Sequence, residues 1–324
     1  MLPLKRRTVA AAAFLASLAP LAWAQSPAAY PNKPIRILVP FAPGGSLDPV
    51  ARLIGDRLTQ AWGQPVVVDN RAGGNTVIGT DFVAKAPADG YTLLLTTSVF
   101  VCNPSLYKDT GYDPFRDFAP ITLAGVSATV VSRHPSYTAV QTMQDIVREA
   151  KVAPIAFASP GIGTAGHLAG ELFRNITKAN LQAVPYKGAG PAMTALLGGE
   201  VRLGFTAVPP VVALARSGKL VPVAVTSLKR LEVLPNVPTV AESYPGFEVD
   251  NMYGLLAPKK TPPALIRKVN ADTRAVLQLP DLRARFVQDA FEVRGNSPEE
   301  FEKYLRAEVS KWAKVVKDSG VRVE

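Results

Sequence analysis

The chain has 324 residues, 48% of them apolar and 19% charged, with a formal net charge of +10 and a single cysteine. One cysteine excludes an internal disulfide framework and a thiolate metal cluster. The 36 basic residues are dispersed and never interleave with aromatics as a run, which excludes a nucleic-acid-binding surface of the usual kind.

In chain order, the first 24 residues read as an export signal. Lys5, Arg6 and Arg7 form a basic start, an apolar run follows, and Ala22-Trp23-Ala24 offers a small-x-small cleavage site. The run is shorter than the ~20 apolar residues of a spanning helix and Pro20 interrupts it, so cleavage is expected and not anchorage. The flanks of the Arg pair fit a twin-Arg signal poorly, so general secretion is expected. Residues 1–24 would thus be lost, and since no later segment is long and apolar enough to span a bilayer, the exported chain is expected to be soluble. Loss of those three basic residues lowers the charge from +10 to +7, a field that draws small anions. The remaining ~300 residues suit two domains.

The mature chain opens on a strand ("KPIRILVPF"), a glycine turn ("APGGSLD") and a helix ("PVARLIGDRLTQAWG"). A second strand ("PVVVDN") leads through "RAGGNTVIGTDFVAKA" into another helix, and "YTLLLTTS" is a third strand. Strands alternating with helices predict parallel sheet. Runs such as "VVV" and "LLL" lack polar alternation, as in strands covered on both faces. Cys102, in the strand-like "VFVCNP", reads as a small buried hydrophobe and not as a nucleophile. "DFAPITLAGVSATVVSRH" reads as two strands opening a second α/β unit. That unit continues with the helix "VQTMQDIVREAK", the strand "PIAFAS", a glycine loop and the helix "HLAGELFRNITKA". "LQAVPY", "KGAGPAMTALLGGEV", "RLGFTAV" and "VPVAVTS" complete it, and "VDNMYGLLAP" would cross back to the first unit. Three C-terminal helices follow, with Thr261 and Ser297 as N-caps and Ser297 to Glu300 in capping-box form.

Two glycine loops carry the chemistry. In "PFAPGGSLDPVAR" the glycines allow close backbone approach, Ser46 or Asp48 can cap the helix, and free N–H groups at its start suit an anion. In "SPGIGTAGH", Gly161, Gly163 and Gly166 spell G-x-G-x-x-G between strand and helix, the pattern of a dinucleotide site. Such a site also wants an acid about 20 residues on, at the end of the next strand, for the ribose. Here that strand ends in Tyr186-Lys187, and no Asp or Glu occurs between Glu171 and Glu200. A nucleophile elbow would need glycine where Phe157 stands. Only His134 and His167 offer imidazole bases, the Walker phosphate loop is absent, and no acid/imidazole cluster has metal spacing. No cofactor, metal or catalytic residue is therefore expected. What remains is two loops facing across a cleft, beyond the carboxyl ends of strands, where α/β sheets bind ligands. Thr97-Ser98 and Lys187 to Gly190 open on the same side.

These residues resemble the solute receptors of tripartite tricarboxylate transporters, the Bug-type periplasmic proteins. The likeness runs from "YPNKPIRILVPFAPGGSLDPVAR" through "NPSLYKDTGYDPFRDFAPIT", "SPGIGTAGHLAGELF", "VPYKGAGPAMTALLGGEV" and "LPNVPTVAESYPGFEV" to "SPEEFEKYLRAEVSKWAKVVKDSG". It implies a two-domain, type II periplasmic binding protein (Venus flytrap) fold with mixed sheets flanked by helices. Domain 1 would join residues 25–127 to 248–324, and domain 2 would be 128–247. It further implies a non-enzymatic receptor that passes a mono- or dicarboxylate, aromatic acids included, to membrane transporter subunits. Phe41, Gly44, Gly45, Ser46 and Asp48 would form the first jaw, Phe41 touching the ligand body and Asp48 orienting the loop or a water. Ser159, Gly161, Gly163, Thr164 and His167 would form the second. Thr97, Ser98, Gly188, Ala189 and Thr206 would complete the ligand site. Many relatives carry Asp or Asn after a Leu-Gly-Phe like that at 203–205. Thr206 in its place disfavours a ligand amino group. The competing expectation is an exported hydrolase or nicotinamide-dependent oxidoreductase using the same cleft.

Overall fold

The computed structural model describes residues 30–322, so the expected signal lies outside the described residues. The first unit is built from β1 (Ile35–Val39), α1 (Leu47–Trp62), β2 (Val66–Asn70), α2 (Val77–Ala84), β3 (Thr92–Thr96) and α3 (Val99–Leu106). β1 lies between β2 and β3, and both pairings are parallel. α1 covers one face through Leu47, Val50, Ala51, Ile54 and Leu58, spaced to share one side of a helix, and ends at left-handed Gly63.

β4 (Phe118–Arg133) leads to α4 (Met143–Val152), β5 (Ile155–Ser159), α5 (Ala165–Thr177), β6 (Leu181–Pro185) and α6 (Ala189–Leu197). β7 (Leu203–Ala207), α7 (Val208–Arg216) and β8 (Val221–Val225) follow. Here β5 lies between β6 and β7, again parallel. β9 (Asp250–Pro258), α8 (Pro263–Leu277), α9 (Pro280–Gln288), β10 (Phe291–Val293) and α10 (Pro298–Ser319) close the chain. The strand order is β2-β1-β3-β9-β4-β7-β5-β6, with β8 and β10 also paired to β4. Two parallel triplets are thus joined through antiparallel β9 and β4, a mixed sheet with helices on its faces.

Four local expectations are corrected. "DFAPITLAGVSATVVSRH" is one 16-residue strand, not two. Register shifts near Thr122 and Gly125 bend it without ending it, and it pairs with β9 over 118–128 and with β7 over 129–133. Gly125 is required there, because a Cβ would lie 2.3 Å from the Phe291 ring. "VFVCNPSL" is helix α3 and not strand, although Cys102 is fully buried as expected. Ser46 caps nothing with its side chain. Thr261 is displaced as a cap by Pro262, whereas Ser297 and Glu300 do form the capping box on α10. α10 packs on α3 and also reaches α5, where Arg174 and Asn175 donate to the Ser319 and Val315 carbonyls.

Candidate functional site

Within each triplet the strands are parallel, so their carboxyl ends share one edge. From the first edge rise the β1–α1, β2–α2 and β3–α3 loops, and from the second the β5–α5, β6–α6 and β7–α7 connections. One contact group brings the edges face to face. A Cβ placed on Gly163, in the β5–α5 loop, would stand 2.8 Å from Leu106 Cδ1 and 3.7 Å from both Cys102 Cβ and Asn75 Nδ2. The strand ends of the two triplets therefore face one another, and it is beyond such ends that open sheets present helix N-termini to ligands.

On the first edge, the Asp48 carboxylate accepts from Gly44 N–H (3.3 Å) and from the Arg52 guanidinium (3.0 and 3.1 Å). Burial works to raise its pKa, but the bonds from Arg52, Asn70 and Gly44 outweigh it and hold the carboxyl below its ordinary value. Asp48 therefore shapes the loop and is neutralised from behind. Phe41 is half-buried and its carbonyl accepts from Asn70 Nδ2, which ties the loop to the end of β2. Gly44 and Ser46 are exposed and Gly45 partly so, at an α1 start that has no side-chain cap. Thr97, just after β3, is buried. Ser98 departs from the expectation of a ligand contact. Its hydroxyl donates to the Asp250 carbonyl (3.2 Å) and accepts from Met252 N–H (3.1 Å), so it staples α3 to β9.

On the second edge, Thr164 caps α5 by accepting from His167 N–H (3.4 Å), and its hydroxyl donates to the Gly161 carbonyl (2.7 Å). His167 is only 3% exposed. Burial, then nearby Arg174, lowers its pKa to about 4, so the imidazole is neutral. Its Nδ1 accepts from Gly163 N–H (3.3 Å). That corrects a second expectation, since the Gly163 amide is turned toward His167 and is not a free donor. Gly188 N–H donates to the Pro160 carbonyl (2.9 Å), and Ala189 opens α6, which also lacks a side-chain cap. Gly161 holds φ +147°, which glycine tolerates.

Buried hydroxyls without partners mark the strand ends. Ser159 Oγ at the end of β5, Thr206 Oγ1 near the end of β7 and Thr96 Oγ1 at the end of β3 have no hydrogen-bond partner. Leaving a buried polar group unpaired costs about 1–3 kcal/mol, and the same condition recurs away from the strand ends, at the Thr80, Thr261 and Thr273 hydroxyls. Ser159 faces the α5 side with Phe157, and Thr206 lies on the opposite face of its strand.

Asn75 and Asn103 lie outside the glycine loops that the sequence marks, yet Asn75 borders the contact at Gly163 and Asn103 pairs with it. Asn75 Nδ2 donates to Asn103 Oδ1 (3.1 Å), and Asn103 Nδ2 donates to the Asn75 carbonyl (2.8 Å). Gly73, Gly74, Asn75 and Thr76 all have positive φ, and this "GGNT" turn carries the Asn75 amide toward Gly163. The Gly-Gly-Asn run, favourable to that conformation, was the available signal.

Chemistry needing a base and nucleophile is poorly served. His134 contacts Ser136 (2.7 Å), but the two sit on an exposed turn. The Cys102 thiol is pushed up by burial. Among the described residues no His/Cys/Asp/Glu group has the makings of a metal site. A hollow of about 740 Å³ near α2 is lined by basic residues that already pair with acids, as Lys33 with Asp89 and Lys85 with Asp81. No described helix is long and apolar enough to cross a membrane.

Residues 50–321 match the family model described as tripartite tricarboxylate transporter family receptor. The chain is 37% identical over 305 residues to protein BugT of Bordetella pertussis, spanning 91% of this chain and 92% of BugT. Among solved structures it is similar to R. palustris Rpa4515 with adipate (34% identity, TM-score 0.83, covering 90% of this chain and 98% of that one). It is also similar to MatC from Rhodopseudomonas palustris with bound malate (28% identity, TM-score 0.79, covering 89% and 100%).

Proposed function

The chain belongs to the tripartite tricarboxylate transporter receptor family, and from that premise we propose that it is a non-catalytic, exported receptor. It captures a small carboxylate between the two strand-end edges and presents it to a membrane transporter. The observation that carries this reading is the facing of the two strand-end edges, which brings Gly163 of the β5–α5 loop against Leu106, Cys102 and Asn75, with the α1 and α6 starts free of side-chain caps. N–H dipoles and hydroxyls recognise carboxylate oxygens without a catalytic pair. Adipate and malate in the related structures support a dicarboxylate.

Asp48 is committed to Arg52 and Gly44, so it is no free counter-ion for an ammonium group. The preferred ligand therefore lacks an amino group. We take residues 25–127 with 248–324 as one lobe and 128–247 as the other, hinged where β4 and the segment before β9 cross. Phe41, Gly44, Gly45, Ser46, Thr97, Ser159, Gly161, Thr164, Gly188, Ala189 and Thr206 are the proposed contact residues. The mature protein is expected to be monomeric and periplasmic, after loss of residues 1–24.

Thermal melting against C4–C6 dicarboxylates, aromatic acids and amino acids tests this. A dicarboxylate at 100 times its Kd should add about 2.7 kcal/mol of stability, read as a rise of several degrees in Tm. Absence of a shift with every acid up to the millimolar range would sink the reading.

A further inference from the structure

We propose that Gly163 and Leu106 form the closure stop of the cleft, a glycine-sized contact that sets how near the two edges approach. The proposal rests on the receptor reading, since closure has a role only if a ligand is enclosed. Gly163 is buried on the β5–α5 loop, and Leu106 lies 2% exposed in the last turn of α3 on the opposite edge. A Cβ at 163 would stand 2.8 Å from Leu106 Cδ1, nearer than carbon atoms pack, while its next neighbours, Cys102 and Asn75, would be at an ordinary 3.7 Å. Leu106 is therefore the single obstruction.

Both walls are stiff. Behind Gly163, neutral His167 accepts the loop amide. Behind Leu106, Phe100, Cys102 and Tyr112 are buried in the same core, and Tyr112 donates to the Phe100 carbonyl (3.1 Å). Asn75, on the same wall, is fixed by its exchange of bonds with Asn103. A contact between two stiff walls acts as a stop, because packed interiors do not deform continuously.

Gly163 also holds φ +76°, so alanine there is strained. That strain belongs to the loop and is the same whether the cleft is open or closed. The Leu106 clash exists only when the edges meet. A methyl group at 163 is thus a wedge that penalises the closed state selectively, and shortening Leu106 removes the obstruction without relieving the loop strain.

The test uses the full mature chain with spin labels at Lys85→Cys and Thr194→Cys, exposed positions just after α2 and on α6, in a Cys102→Ala background. Four proteins are compared: the parent, Gly163→Ala, Leu106→Ala and the double variant. Inter-label distances are measured without ligand and with adipate as probe. Gly163→Ala is expected to lose the short-distance population and to bind adipate about tenfold more weakly, while the double variant recovers the short distance and most of the affinity. A Gly163→Ala protein with the parent's distance distribution, or a double variant no better than Gly163→Ala, would overturn the proposal. Failure of the receptor reading is separately visible as a parent that binds no dicarboxylate, and a parent that never reaches the short distance, with or without adipate, overturns the stop as well.

Discussion

At the scale of single residues, each glycine of the G-x-G-x-x-G has its own cause. Gly161 and Gly163 hold positive φ, and Gly166 is needed because a Cβ would lie 2.2 Å from the Phe205 carbonyl oxygen. Close helix-on-strand packing is also what the last glycine of a dinucleotide fingerprint supplies, so the same spacing arises here from packing alone. His167 carries a pH dependence. Its pKa of about 4 lies below the ordinary 6.5, so the unfolded chain takes up a proton first as pH falls. Its contribution to stability is complete above pH 6.5 and is lost on descending to about 4. Relative to His167→Gln, the parent should lose roughly 2–3 kcal/mol between pH 7 and pH 4.5 by urea denaturation. Asp250 has the opposite sign: burial, then Glu248 beside it, pushes its carboxyl up to about 6. Its contribution is full below pH 3.8 and fades as pH rises through 6, so Asp250→Asn should stabilise the protein at pH 7 by roughly 2–3 kcal/mol and give little gain below pH 4. Urea midpoints at the two pH values check this.

At the scale of elements, β4 and the β9–α3 contact connect the two triplets. β4 pairs with β9 along its first part and with β7 and β8 along its last, so one strand belongs to both halves of the sheet. The Ser98 hydroxyl closes the neighbouring seam by bonding both Asp250 and Met252 of β9. Ser98→Ala leaves a buried N–H and a buried C=O without that partner. The expected loss is about 1–3 kcal/mol, measured as a fall in Tm, with the ligand-binding surface intact. A wild-type Tm would assign the staple no energetic weight. These elements were only partly legible beforehand. Periodicity identified α1, α8 and α10 because each buries one stripe. It mistook α3 for strand because every side of that short helix is apolar, with Val99, Phe100, Val101 and Cys102 buried in succession. It split β4 because bulges near Thr122 and Gly125 break the alternation a strand is recognised by.

At the scale of the whole molecule, the proposed cleft holds its anion with dipoles and hydroxyls. No Lys or Arg stands among the proposed contact residues, and the nearby Arg52 is bound to Asp48. Affinity for a dicarboxylate should therefore change less than about threefold between 50 and 500 mM NaCl, because screening acts on exposed charges and not on short, enclosed hydrogen bonds. Calorimetric titration at the two salt concentrations checks it, and a steep salt slope would move the site to the basic surface. By itself, the sequence determined the alternation of strands and helices, the two glycine loops at strand ends, the lack of a ribose-binding acid and the capping box on α10. All of these are local, set by periodicity, backbone freedom and residues a few positions apart. Only the tertiary structure decided which groups are already spent and which face the cleft. Ser98 and the Gly163 amide look like donors in the sequence, yet they are consumed by Asp250 and His167, one of them 152 positions away. Asn75 and Leu106 come to face Gly163 because parallel pairing placed the segments after β2, β3 and β5 on facing edges. Hydrogen-bond satisfaction and steric contact are properties of neighbours in space, and the chain acquires those neighbours only by folding.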